Sequence, residues 1–325
     1  TINKEDYMYN IGIDLGGTNI AAAIVAKDGT IIRKDSTPTL GDRDDKLIIK
    51  DMAMLALKLI EEEGLSLDDI HSIGVGSPGT PDPEKGLIVY ANNLNFKNTP
   101  IRDEIRKYID KPVYIGNDAN VAALGEYECG TGVDYKDLVA VTLGTGVGGG
   151  IIIDGKIIGG SFNGGAELGH VSIDFNGIQC NCGRKGCWEQ YSSATALIRD
   201  AKEAAAKNKD SKLNDLVDGD LSKMNAKIPF DAAQAGDKVA GEVIDNYIKH
   251  LAVGIVNVIN IFQPEIIVLG GGVSAQGDNL INPLRKEIID EIYGGEPAFK
   301  TKVQVAKLGN DAGIIGAAML YRAYE

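Results

Sequence analysis

His170, Cys180, Cys182 and Cys187 follow the spacing H-x9-C-x-C-x4-C. One imidazole and three thiolates can complete a tetrahedral zinc site, and four protein ligands leave no position open for substrate. Such an ion is structural and not a Lewis acid. A disulfide between Cys180 and Cys182 would close a very short, strained ring. The competing reading is three reduced cysteines beside a loop histidine. Cys129 stands apart and reads as an ordinary buried thiol. His71 and His250 have no partners in sequence and read as structural.

Glycine turns supply a second kind of chemistry. Gly16-Gly17-Thr18-Asn19 follows Asp14, and Gly144-Thr145-Gly146 lies about 130 residues further on. Backbone N–H groups in such turns can point at an anion. Asp14 should not touch a phosphate directly, so it suggests an intervening Mg²⁺ and its waters. The alternative is a tight hairpin with a solvated aspartate. Gly270-Gly271-Gly272 ends an apolar run, where backbone could approach a flat base or simply pack on a helix. There is no Walker A pattern. Residues 144–149 match G-x-G-x-x-G by letter but precede a strand, so the dinucleotide reading fails its context test. Asp118 follows an apolar strand at the start of a helix. There an aspartate is either a helix cap or a carboxylate free to accept a proton.

The elements that carry these residues alternate between strand and helix. Strand–turn–strand is expected over 9–25 and again over 137–156, with a third strand or edge at 31–39. Helical spacing marks 46–63, ending near Gly64, and a short amphipathic helix marks 101–109. Strands are read at 70–79, at 113–118, over 264–274 opening into three glycines, and at 303–309. Helices are read from 119, and at 193–207, 231–261, 278–293 and 311–325. Residues 207–230 are rich in Lys, Asp and Asn and read as a solvated excursion. This alternation makes an α/β protein, and the repeated turn implies two similar domains. A length of 325 residues agrees with that number.

Composition sets limits. The chain carries 33 basic and 46 acidic residues, net -13. A nucleic-acid binder usually has the opposite sign, so no nucleic-acid partner is expected. No run of 18 apolar residues occurs, so no membrane span is expected. The polar start, TINKEDYMYN, lacks a signal-peptide core, and the expected compartment is the cytoplasm. The 41 glycines are nearly twice the usual frequency of about 7%, so the backbone often needs positive φ or close approach to something.

The pattern DLGGT, the second LGTG turn and the GGG strand end resemble the sugar kinase/Hsp70/actin superfamily. The run AELGHVSIDFNGIQCNCGRKGCWEQYSS over 166–193 is similar to the signature of the ROK family, and GNDANVAALGEY over 116–127 resembles its glucokinase branch. The resemblance implies an actin-like ATPase (ribonuclease H-like) fold with the active site in an interdomain cleft. The expected domains are 1–116 with 313–325, and 117–312. It implies ATP-dependent phosphorylation of glucose at the 6-hydroxyl, a step of glycolysis. Kinases for fructose, mannose or an N-acetylhexosamine and a non-catalytic sugar-sensing regulator are the rivals. ROK repressors carry an N-terminal DNA-binding extension, for which the position of DLGGT leaves no room here.

Carried over residue by residue, the resemblance makes Asp118 the general base. It places Gly79, Asn93, Asn117, Glu167, His170 and Glu189 at the sugar. Asp14, Gly16, Gly17, Thr18, Asn19, Gly144, Thr145, Gly146, Gly270, Gly271 and Gly272 fall at the nucleotide. It supports the same four zinc ligands, Mg²⁺ with ATP, and a homodimer or homotetramer. His170 could then ligate zinc through one ring nitrogen and face the sugar with the other. One departure stands out. The family often has Pro-Asn-Leu and then Trp where this chain has Asn92-Asn93-Leu94 and Phe96.

Overall fold

A computed structural model describes residues 9–91, 94–298 and 300–324. The chain begins as an antiparallel meander, β1 (Tyr9–Leu15), β2 (Asn19–Ala26) and β3 (Ile31–Pro38). Helix α1 (Asp45–Glu62) follows, capped by the Asp44 carboxylate on the Lys46 N–H. Next come β4 (Ile70–Ser77), the short strands β5 (Thr80–Asp82), β6 (Leu87–Tyr90) and β7 (Lys97–Thr99), α2 (Ile101–Arg106) and β8 (Val113–Asn117). Helix α3 (Asp118–Cys129) leads to β9 (Leu138–Leu143), β10 (Val147–Ile153) and β11 (Lys156–Ile157). The rest is α4 (Glu189–Ser192), α5 (Ala194–Lys207), α6 (Lys212–Asp215), α7 (Ile228–Gln234), α8 (Lys238–Phe262), β12 (Ile266–Gly270), α9 (Asp278–Glu291), β13 (Lys302–Val305) and α10 (Ala312–Tyr324).

The strands form sheets in the orders β3-β2-β1-β4-β8 and β11-β10-β9-β12-β13, with a small sheet β5-β6-β7. In each five-stranded sheet an antiparallel hairpin sits beside parallel strands, as β1 pairs antiparallel with β2 and parallel with β4. The fold is mixed α/β, as expected. No helix among the described residues is long and apolar enough to cross a membrane.

The chain divides into two compact units. The first holds the described residues of 1–140, 150–166 and 307–325; the second holds those of 141–149 and 167–306. Helix α3 stays with the first unit because of its glycines. A side chain on Gly125 would strike the Ala312 carbonyl, and one on Gly316 would strike the Val121 carbonyl. The two helices α3 and α10 therefore touch backbone to backbone. Where the chain re-enters this unit, buried Glu126 accepts hydrogen bonds from the N–H groups of Thr131 (2.9 Å), Lys307 (3.1 Å) and Leu308 (2.7 Å).

Two local readings need correction. Residues 207–230 are not a bare excursion: Ser211 caps α6, and Leu213, Val217 and Met224 are buried. The apolar period is carried by residues the charged composition hides. The helix expected over 231–261 is two helices, broken at Gly236 (φ +84°), with Asp237 capping α8 through the Ala240 N–H.

Candidate active site and metal centre

In the first unit, β1 delivers Asp14 to the glycine turn at its end. The turn closes on itself through Gly16 N–H to the Asn19 carbonyl at 2.9 Å, leaving Gly17, Thr18 and Asn19 exposed. Thr39, fully buried just after β3, holds it from behind. Its hydroxyl donates to the Gly16 carbonyl at 2.7 Å, and its N–H donates to the Thr18 carbonyl at 2.8 Å. Only strand order reveals Thr39, since 23 residues separate it from Gly16.

Burial pushes Asp14 up to about 6, and the negative charge of Asp118 adds to the shift. A Cβ on Gly313 would stand 2.9 Å from Asp14 Oδ2, so the first turn of α10 lies against this carboxylate. Asp118 keeps an exposed face, yet its enclosed position moves its carboxyl above the usual range, against hydrogen bonds that pull it down. Its Oδ1 accepts from the Ala119 N–H at 2.9 Å. The cap of α3 is Asn117, whose Oδ1 takes the N–H groups of Ala119 and Asn120. Asn117 Nδ2 donates to the Gly79 carbonyl at 3.1 Å. Gly79 has φ +92°, and a side chain there would strike the Tyr90 carbonyl. The structure thus gathers Asp14, Gly79, Asn117 and Asp118 in one unit. Asn93 lies outside the described residues.

In the second unit, the turn Gly144-Thr145-Gly146 is held differently. Glu189 Oε2 accepts the Val147 N–H at 3.0 Å, and a side chain on Gly146 would strike that oxygen. The Ala194 N–H donates to the Gly144 carbonyl at 2.8 Å and the Thr195 hydroxyl to the Thr145 carbonyl at 2.8 Å. Glu167 and His170 flank a single 3-10 turn, with His170 N–H on the Glu167 carbonyl at 3.1 Å. Gly169 between them packs on the Val147 carbonyl. Val147 therefore links the glycine turn to both Glu189 and the Glu167–His170 turn. In the third cluster Gly271 (φ +83°) lies against Leu143, while Gly272 faces open space. Buried Ser274 locks it, donating from its hydroxyl to the Gly271 carbonyl at 2.7 Å.

The ligand atoms of His170, Cys180, Cys182 and Cys187 all lie within 4.8 Å of one another. Cys182 and Cys187 Sγ are 3.5 Å apart, and Cys180 Sγ is 3.8 Å from His170 Nδ1. Tetrahedral zinc with bonds of about 2.3 Å spaces its sulfurs by about 3.8 Å, so the four residues fit the ion. Burial and the neighbouring thiols push Cys187 up to about 12, a penalty that a cation would remove. The loop folds as a knuckle: Cys180 N–H donates to the Arg184 carbonyl at 2.8 Å, and Gly183 (φ +93°) turns the chain. Trp188 follows the last ligand and is buried against Gly254 of α8, with Nε1 on the His250 carbonyl at 3.0 Å.

The profile described as the ROK family matches residues 10–324. The chain belongs to the ROK family. It is 39% identical to a glucokinase of Thermotoga maritima over 96% of both chains. It is 38% identical to a glucokinase of Halalkalibacterium halodurans over 97% of this chain and 95% of that one. Among solved structures it resembles a ROK family glucokinase from Streptomyces griseus in complex with glucose and AMPPNP. That comparison has a TM-score of 0.80 and 35% identity, covering 96% of this chain and 98% of that one. The ROK chain accordingly has the actin-like ATPase fold of these sugar kinases.

Proposed function

We propose that this ROK chain transfers the γ-phosphoryl group of ATP to the 6-hydroxyl of glucose, giving glucose 6-phosphate. Glucokinase relatives of near-equal length support the activity. The observation that carries the chemistry is Asp118: one carboxylate oxygen is fixed by the Ala119 N–H, and its pKa is raised. The carboxylate would take the proton of the attacking hydroxyl, and a raised pKa strengthens the base. Phosphoryl transfer asks the protein mainly for positioning and charge stabilisation.

In this reading Glu167, His170 and Glu189, with Gly79, Asn93 and Asn117, receive the sugar hydroxyls. The Asn117 amide also donates to the Asp118 carboxylate, so it ties the Gly79 loop to the proposed base. Gly16 to Asn19, Gly144 to Gly146 and Gly270 to Gly272 receive the nucleotide. Asp14 would hold Mg²⁺ through its waters, and that ion neutralises charge on the phosphates. Zinc on the four-ligand cluster is structural, and the Nδ1 edge of His170 serves it. We also place the enzyme in the cytoplasm, on the strength of its free cysteines. The assembly we propose is a homodimer or homotetramer, and sedimentation would measure it.

An ADP-release assay over glucose, fructose, mannose and N-acetylhexosamines tests the function. Glucose should give the highest kcat/KM. Sugar binding without turnover, or a higher kcat/KM for another hexose, would replace this reading.

A further inference from the structure

The four metal ligands are not equivalent. Cys180 and Cys187 are buried, His170 is half-buried, and Cys182 is exposed. Cys180 is further enclosed by Gln190 Nε2 at 3.6 Å and by the His170 ring. Cys187 lies under the His170 carbonyl at 3.6 Å. The one sulfur open to solvent therefore sits 3.5 Å from a buried sulfur five residues away. Reagents reach thiolates in proportion to their exposure, and a nearby second thiolate resolves the first product.

We infer that Cys182 and Cys187 form a peroxide-sensitive dithiol whose oxidation dismantles the metal centre. The Cys182 thiolate attacks one oxygen of a hydroperoxide. An S–O bond forms, the O–O bond breaks, and hydroxide or alkoxide leaves with the electron pair. The Cys187 thiolate then attacks the Cys182 sulfenic acid. The S–S bond forms, the S–O bond breaks, and hydroxide leaves. Two electrons have passed from two sulfurs to one peroxide. His170 and Cys180 alone are too few to hold zinc.

The consequence follows the chain. Cys187 is joined through Trp188 to Glu189, and His170, itself one of the four ligands, sits one 3-10 turn from Glu167. These three proposed sugar contacts are tied directly to the cluster, whereas the Gly144–Gly146 turn is tied to it only through Glu189. Oxidation should loosen the sugar side first. Only this last step rests on the proposed kinase activity.

The test uses the full chain loaded with zinc and treated with hydrogen peroxide. Released zinc is read with a chromogenic chelator, and the disulfide is located by peptide mass. One zinc should leave per Cys182–Cys187 disulfide, with thiol reductant plus zinc restoring the centre. Cys129→Ala should behave as the unsubstituted chain. The KM for glucose should rise about 10–100-fold, the usual effect of losing an outer support. Zinc retained with Cys182 intact, a disulfide that uses Cys180, or loss of the response in Cys129→Ala would each overturn the inference. So would a chain that binds no zinc, which would leave the kinase reading standing.

Discussion

The two glycine turns look alike in sequence, yet they are fastened by different chemistry. The turn after β1 is held by Thr39, a neutral side chain just beyond the end of β3. The turn before β10 is held by Glu189, a carboxylate that follows the His-Cys loop proposed to bind zinc. The first should keep its shape whatever happens at the cysteines. The second depends on a loop built around four ligands and one buried indole. A repeat in sequence thus reports common backbone geometry, while neighbours decide how each copy responds to change.

The sharpest experiments set one region against the other. Asp118→Asn removes the proton acceptor in the first unit and leaves the metal loop untouched. Its kcat should fall about 10²–10⁴-fold, with glucose binding by calorimetry nearly unchanged. A variant that keeps its kcat would remove Asp118 from the chemistry.

Next in size is Cys187→Ser, at the buried end of the metal loop. Zinc content by elemental analysis should drop, and the glucose KM should rise about 10–100-fold with a smaller change for ATP. Equal changes in both KM values would mean that the loop supports the Gly144–Gly146 turn as strongly as it supports the proposed sugar contacts.

Thr39→Val gives the mirror image. It leaves the half-buried Gly16 carbonyl without its hydroxyl donor, a loss of about 1 kcal/mol. The ATP KM should rise about tenfold while zinc content stays whole. A glucose-selective defect would break the comparison.

The smallest effect concerns Asp14. Its carboxyl titrates near 6 in the folded chain against an ordinary value of 3.8. The folded state then binds the proton more tightly than the unfolded state. Stability falls as pH rises between these values and stays reduced above them. Asp14→Asn should therefore raise Tm at pH 8 in the absence of Mg²⁺ by a few degrees. The gain should vanish below pH 4, as a pair of melting curves would reveal. In Asp118→Asn the Asp14 midpoint should move down, because part of its shift comes from the Asp118 charge.

Much of this was legible in the residues. The α/β alternation, the repeated turn and the His-Cys spacing survive in the fold, because each is a local pattern with a local cause. The glycine excess was legible only halfway. It announced close approach, but part of what approaches is the protein itself. Side chains on Gly12 of β1 and Gly74 of β4 would strike the carbonyls of Ile314 and Ala317 in α10. No spacing rule says which helix lies on which strand. Thr39 and Ser274 were illegible for the same reason: each is a small polar residue whose partner is set by topology. The sheet β5-β6-β7 escaped notice because its strands are three or four residues long.

Trp188 is the only tryptophan in the chain. It is buried between the last metal ligand and Glu189, with its ring on Gly254 and its N–H on His250. Intrinsic fluorescence excited at the indole band therefore reports on this loop and its contact with α8. A red shift in emission would signal water reaching the indole as the loop opens. The protein carries a built-in optical probe at the junction of its proposed metal centre and its proposed sugar contacts, readable in a stopped-flow cell without any label.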